Sequence, residues 1–179
     1  MRLPTAIELI PAGPVLPALL AELAADLHEH TSREVVHGPP LPLDPAWHRD
    51  GRIESRGLMH ALLDLAGRDR TRWRLAITDA ALCDEALGEI FGEAAFGGCC
   101  AVVGTGPLRR GSGADADVLR GRLLTEALHE LGHLAGLEHC RRASCVMYPS
   151  LDIAESDRKG TSFCADCGRK SGASWKRKT

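Results

Sequence analysis

Apolar residues change their spacing along this chain, and the changes predict strands alternating with helices. Ala6-Ile7-Glu8-Leu9-Ile10-Pro11 reads as a first strand, closed by its proline and by Gly13. From Leu16 to His30 the period becomes helical, with Leu16, Leu19, Leu20, Leu23 and Leu27 on one face and Pro14 and Pro17 near the start. Glu34-Val35-Val36-His37 fits a short second strand, and the four prolines between Gly38 and Pro45 demand an irregular loop. A second helix is expected from about Gly51 to Gly67 on Ile53, Leu58, Leu62, Leu63 and Leu65. Arg72 to Thr78 alternates like a strand, and Ile90 to Ala94 and Cys99 to Val103 give two more, joined by Gly97-Gly98. The last helix begins near Asp115 or Asp117, as a cap or a first-turn charge, and runs to about Ala135. Leu119, Leu123, Leu124, Leu128, Leu131 and Leu134 would pack it on the sheet. No internal repeat is visible.

Length and composition narrow this to one domain. At 179 residues and 44% hydrophobic, the chain can bury a real core, and with aromatics at 4% that core must be mostly Leu, Ala, Val and Ile. A net charge of −2 gives no field to attract nucleic acid or a membrane surface. Pro11, Pro14, Pro17, Glu22 and Asp26 interrupt the N-terminal apolar segment, so no secretory signal is expected, and no run reaches the ~18 apolar residues of a membrane span. Nor does any segment look like a masking pro-region. Seven cysteines make an odd count, and four have metal-ligand spacing, which fits a reducing compartment better than a disulfide framework. A cytoplasmic monomer is the expectation.

The helix that ends near Ala135 carries the chemistry. His129-Glu130-Leu131-Gly132-His133-Leu134-Ala135-Gly136-Leu137-Glu138-His139 is a complete H-E-x-x-H-x-x-G-x-x-H. Its five fixed positions coincide by chance on the order of once in ten million starting points, so accident is a poor account of it. Residues four apart on a helix share a face, which lets His129 and His133 approach one Zn²⁺. A continued helix would carry His139 roughly 9 Å further along the axis and off that face. The chain must turn back, and Gly136 tolerates the left-handed conformation that such a turn needs. Three neutral histidines leave one tetrahedral position open for water, with Glu130 beside the first ligand to take its proton. This extended pattern, with a following methionine, is the metzincin signature.

A second ligand set follows immediately. Cys140-x4-Cys145 and Cys164-x2-Cys167 form two chelating pairs within 28 residues, a spacing suited to a closed structural zinc site. Free thiols or a Cys164–Cys167 redox pair are the plainer alternatives. Because Cys140 follows His139 directly, a metal on the thiols would fix the loop that delivers the third histidine. Met147 can form an apolar floor beneath the histidines, while Tyr148 is left out of the site. His28 and His30 suit a solvated helix end, His60 a structural or exposed position, and Cys83, Cys99 and Cys100 buried apolar positions. Arg169, Lys170, Lys176, Arg177 and Lys178 make a short basic tail, expected to be solvated.

The stretch from His129 to Cys167 resembles the archaemetzincins, metzincin-type zinc peptidases whose histidine motif leads at once into C-x4-C-x-M and later C-x2-C. Here those positions are Cys140, Cys145, Met147, Cys164 and Cys167. Residues 123–140 are similar to that family's active-site helix, and Phe91-Gly92-Glu93-Ala94 to its strand before the edge strand. The specific resemblance covers about a quarter of the chain, and the loop from Met147 to Cys164 is one residue shorter than the family pattern. It implies an α+β, metzincin/zincin-like fold: a compact, twisted, mixed sheet of four to five strands with helices. An active-site zinc helix and a small C-terminal subdomain would follow, dividing the chain at 1–136 and 137–179. It also implies two Zn²⁺ ions, one catalytic on His129, His133 and His139 and one structural on Cys140, Cys145, Cys164 and Cys167.

Together these features predict a zinc-dependent metallopeptidase acting on a peptide or protein substrate, with Glu130 as general base. The peptide would lie along the sheet's edge strand, placed around Cys100 to Val103. The rival is a non-catalytic zinc module that binds peptide or nucleic acid on the same scaffold. Glu130 weighs against it, because a purely structural zinc site has no need of a carboxylate beside its ligand.

Overall fold

The computed structural model describes residues 3–172 and Trp175. In chain order these form β1 (Ala6–Ala12), α1 (Pro17–Thr31), β2 (Glu34–His37), β3 (His48–Arg49), β4 (Arg52–Glu54) and α2 (Ser55–Ala66). Then come β5 (Arg72–Thr78), β6 (Leu82–Asp84), β7 (Gly88–Ile90), β8 (Gly92–Ala94), β9 (Cys100–Gly104), α3 (Ala116–Leu134), α4 (Ile153–Lys159) and α5 (Ala165–Lys170). The expected tail positions Lys176, Arg177 and Lys178 lie outside the described residues.

The main sheet has the order β2-β1-β5-β9-β8, with the first four strands parallel and β8 antiparallel at the edge. The chain moves one way from β1 to β2 and then back across β1 from β2 to β5. Right-handed crossovers therefore put α1 and α2 on opposite faces. Cys100 reaches the carbonyl of Leu62 on the α2 face (3.7 Å), while α3 packs beside α1 on the other. Interior strands bury both faces, which leaves no room for an unpaired charge. Glu8 on β1 accordingly meets Arg74 of β5, its register partner, at 3.0 Å, and Arg74 also binds Asp69 at 2.6 Å.

Three expectations are corrected here. The helix predicted from Gly51 begins only at Ser55, because Asp50-Gly51, at φ 51° and 75°, makes the tight turn of a β3–β4 hairpin. Ile90 to Ala94 is not one strand: it breaks at Phe91, giving β7 to a small second sheet (β3-β4-β6-β7) and β8 to the main one. Cys100 to Val103 is not the sheet edge, since β9 is paired on both sides and buried at all five positions. The edge is β8.

On the α3 face, Leu119, Leu123, Ala127, Leu128, Leu131 and Leu134 are all buried against the sheet. At the far end of that core, Trp73 stacks on Trp175 and Trp175 on Phe163 (ring centroids 6.0 and 4.5 Å), with the Arg33 guanidinium 4.5 Å above Trp73. No helix among the described residues is long and apolar enough to cross a membrane.

Candidate active site

Asp115 starts α3 as its N-cap, its carboxylate accepting from the backbone of Asp117 (2.9 Å) and Val118 (3.3 Å). The other end closes at Gly136, whose φ of 81° permits two reversed hydrogen bonds: Gly136 N to His133 O at 2.9 Å and Leu137 N to Gly132 O at 3.0 Å. This Schellman turn returns the chain. His139 comes back to the face that carries His129 and His133, with ring centroids 5.3 and 4.9 Å from theirs.

Hydrogen bonds fix which ring nitrogens are free. His129 Nδ1–H donates to the carbonyl of Val146 at 2.7 Å, and His133 Nδ1–H to that of Leu137 at 2.8 Å. A carbonyl can only accept, so the lone pairs of these neutral rings sit on Nε2. Those two Nε2 atoms face each other 3.1 Å apart, and a donor nitrogen of each of the three histidines lies within 4.8 Å of the others. Lone pairs so close repel unless a cation stands between them, and three imidazoles are a donor set that zinc favours. Burial drives the His129 pKa well below its ordinary value and lowers those of His133 and His139, which keeps the rings in their ligating form.

Glu130 is buried beside them, against β8. A Cβ on Gly92 would stand 2.7 Å from Glu130 Oε1 and 2.8 Å from the backbone oxygen of Val102, so only glycine lets the carboxylate approach the edge strand this closely. Desolvation raises the Glu130 pKa well above the carboxylate range, Glu126 and Glu93 add to this, and Lys159 opposes it. Met147 is fully buried under Gly132, where any Cβ would collide with its sulfur and crowd Phe163 at 3.1 Å. A cleft of about 740 Å³ opens over the histidines between β8 and the segment Pro149 to Ile153. Tyr148 is not among the residues lining it.

Cys140, Cys145, Cys164 and Cys167 also converge, each offering a sulfur within 4.8 Å of the others, and none is in a disulfide. Backbone N–H groups point at two of them, Arg142 N at Cys140 Sγ (3.5 Å) and Cys164 N at Cys145 Sγ (3.3 Å). Burial pushes the Cys164 thiol up, but hydrogen bonds from Cys167 and from the neighbouring thiols outweigh this and bring it down to about 7. Burial raises Cys145 and Cys167. Four converging sulfurs are a donor set that suits a divalent cation such as zinc.

The remaining sequence candidates stay apart. His28 and His30 bond the carbonyls of Arg33 and Asp26 at 2.7 and 2.9 Å, His60 is exposed, and Cys83, Cys99 and Cys100 are buried and free. Sequence reasoning missed Glu126, Ser156 and Lys159, which are buried together behind His129. The available signal was Glu126 itself, a charge on the apolar face of α3 three residues before His129.

A mixed sheet whose antiparallel edge strand overhangs a helix with converging imidazoles and a buried glutamate is the plan of the zinc metallopeptidases. The comparisons make this specific. Residues 71–172, more than half of the chain, match the model of peptidase family M54, and the chain belongs to that family. The archaemetzincin of Archaeoglobus fulgidus is 38% identical over 96 residues, which is 54% of this chain and 58% of that one. The sequence match thus spans little more than half of that relative. The archaemetzincin of Halobacterium salinarum is 30% identical over 91% of this chain and 97% of its own. The crystal structure of the A. fulgidus protein superposes on 92% of this chain and 99% of that one, with a TM-score of 0.80 at 28% identity.

Proposed function

We propose that this chain hydrolyses peptide bonds with His129, His133 and His139 holding a catalytic Zn²⁺ and Glu130 as general base. Zinc on three imidazoles supplies a Lewis acid that polarises a carbonyl and acidifies water. The chain's own residues do the rest. Glu130, whose burial raises its affinity for a proton, takes one from water at the site and delivers it to the leaving amine. Gly92 keeps that carboxylate against β8. Among the described residues β8 pairs on one side only, with β9, so an extended substrate would add at its outer edge as a further strand.

In this reading Cys140, Cys145, Cys164 and Cys167 hold a second, structural Zn²⁺ and organise residues 137–179 as a small subdomain beneath residues 1–136. Seven free thiols favour a reducing compartment, the cytoplasm, and the chain is taken as a monomer without a nucleic-acid partner.

The observation that carries the proposal is the buried Glu130 carboxyl beside three histidines whose free nitrogens face one another. Its test is zinc content and cleavage of a diverse peptide library by wild type and Glu130→Gln. Two zincs in each protein are expected, with cleavage about 10²–10⁴-fold slower in the variant. Two zincs with no cleavage by either would return the scaffold to a binding role. Equal cleavage by both would remove Glu130 from the mechanism.

A further inference from the structure

Behind His129 lies a buried polar group that the proposed mechanism does not use. Lys159 of α4 has a fully buried side chain, and its ammonium donates to Glu126 Oε2 of α3 at 3.2 Å. Glu126 Oε1 accepts from Ser156 Oγ at 2.6 Å. The same ammonium reaches the carbonyl of Tyr148 at 3.4 Å and stands 3.4 Å from His129 Nδ1.

That Tyr148 carbonyl ends a strap whose successive oxygens all serve the histidine site. Val146 O receives His129 Nδ1–H at 2.7 Å. Met147 O receives the backbone N–H of Cys140 at 2.8 Å, one residue after His139. Tyr148 O receives Lys159. The strap therefore sets the rotation of the first histidine and the position of the loop bearing the third. Lys159 holds it from inside the protein.

A stapling role alone does not explain a charged group here. Arg122 and Asp157 already tie α3 to α4, with contacts of 2.7 and 2.8 Å one turn away. A buried ion pair contributes little to stability over apolar residues of similar size. An apolar chain, however, cannot donate to Tyr148 O.

We propose that Lys159 is a positioning residue of the histidine site: its ammonium, neutralised by Glu126, pins the Tyr148 carbonyl so that Val146 O stands where His129 must donate. This rests on the histidine ligands proposed above. Its consequence is pre-organisation, because partners that orient a metal's imidazoles typically contribute 10–100-fold in metal affinity.

The informative variant is Glu126→Gln/Lys159→Met, which removes equal and opposite charges and so leaves the net charge behind the histidines unchanged. Lys159→Met alone would strand the Glu126 carboxylate and confuse attraction for the metal with positioning. The protein is prepared with zinc on its thiols. The dissociation constant of the histidine-held ion is measured by chelator competition, and the d–d spectrum is recorded with Co²⁺ in that site. Expected are binding weaker by about 10–100-fold and a displaced spectrum, in a variant that still melts cooperatively. Affinity and spectrum equal to wild type would overturn the proposal and leave a structural pair.

If the double variant does not fold, Ser156→Ala decides, since it keeps both charges and deletes one hydrogen bond to Glu126. Weakening by about fivefold supports the proposal, and none overturns it. Failure of the underlying reading looks different: wild type itself would then bind no ion at the histidines.

Discussion

The three imidazoles belong to a helix of 19 residues that is buried along most of its length, or to the turn that ends it. The four thiols sit on an exposed loop around Arg141 to Ser144 and on the rim of a six-residue helix. A helix as short as α5 is marginal by itself, and residues 141–144 of that loop are all exposed. The histidine cluster is therefore built on one long helix and its closing turn, whereas the cysteine cluster gathers a short helix and an exposed loop onto the core, which Cys145 and Cys167 reach from that segment. The two meet where Cys140 follows His139 and again at the strap from Cys145 to Tyr148, which starts at a thiol and carries the carbonyl that orients His129.

Metal removal sharpens this contrast most. His139 is exposed and His133 partly so beneath an open cleft, while Cys145 and Cys167 are buried. A mild chelator should strip the histidine-held ion first and abolish hydrolysis while the circular dichroism and melting curve change little. A stronger one should then remove the thiol-held ion and loosen residues 140–172. Zinc analysis alongside hydrogen exchange would follow both steps. Simultaneous loss would mean that the two clusters are not independently built.

Cys164→Ser probes their meeting point. It should empty the thiol site and also weaken the histidine site, because the strap and the His139 loop lose their anchor. Metal content and peptide hydrolysis read both effects. Full catalytic zinc and unchanged activity in this variant would show that the strap is held by packing alone.

The contrast also governs what could be seen in the sequence. The active helix was legible because its signals are local: a 3.6-residue period, an aspartate cap and a glycine stop at Gly136. The cysteine set was legible because its spacings are short. Positions fixed by distant partners were not. Lys159 and Glu126 are 33 residues apart, and neither announces the other. β4 falls within the span expected to be helical because Ile53 fits a helical stripe as well as a three-residue strand, although Asp50-Gly51 is a turn signal. β9 was mistaken for the edge despite a continuous run, Cys-Cys-Ala-Val-Val, of the kind that marks a strand buried on both faces. The true edge, Gly92-Glu93-Ala94, is too short to show any period.

A smaller effect is expected at the contact between α3 and the methionine. Gly132→Ala puts a methyl group against Met147 and Phe163 on a helix that cannot retreat, because its other side is packed on the sheet. The flexible thioether can yield in part, so the cost should be about 1–3 kcal/mol. In a chain of this length each kcal/mol lowers the melting temperature by roughly 2–4 °C. Histidine-site affinity should fall as well, since Met147 belongs to the strap, and chelator competition would measure it. A melting shift with unchanged affinity would mean that the floor supports the fold and not the ligands.

The smallest effect comes from the start of the same helix and tests how far the histidine site depends on α3 as a whole. Asp115→Ala removes the carboxylate that accepts from Asp117 and Val118, and losing such a cap costs about 1 kcal/mol. His129 lies roughly 20 Å further along the axis, well beyond the first turn over which an end effect is felt. Between them, Leu119, Leu123 and Leu128 are packed against the core, so a frayed first turn cannot reach the ligands. Thermal denaturation should therefore show the loss, while zinc affinity and hydrolysis stay at wild-type values. If affinity fell together with stability, the histidines would depend on global stability and not on the local turn at Gly136 and the carbonyls of Val146 and Leu137.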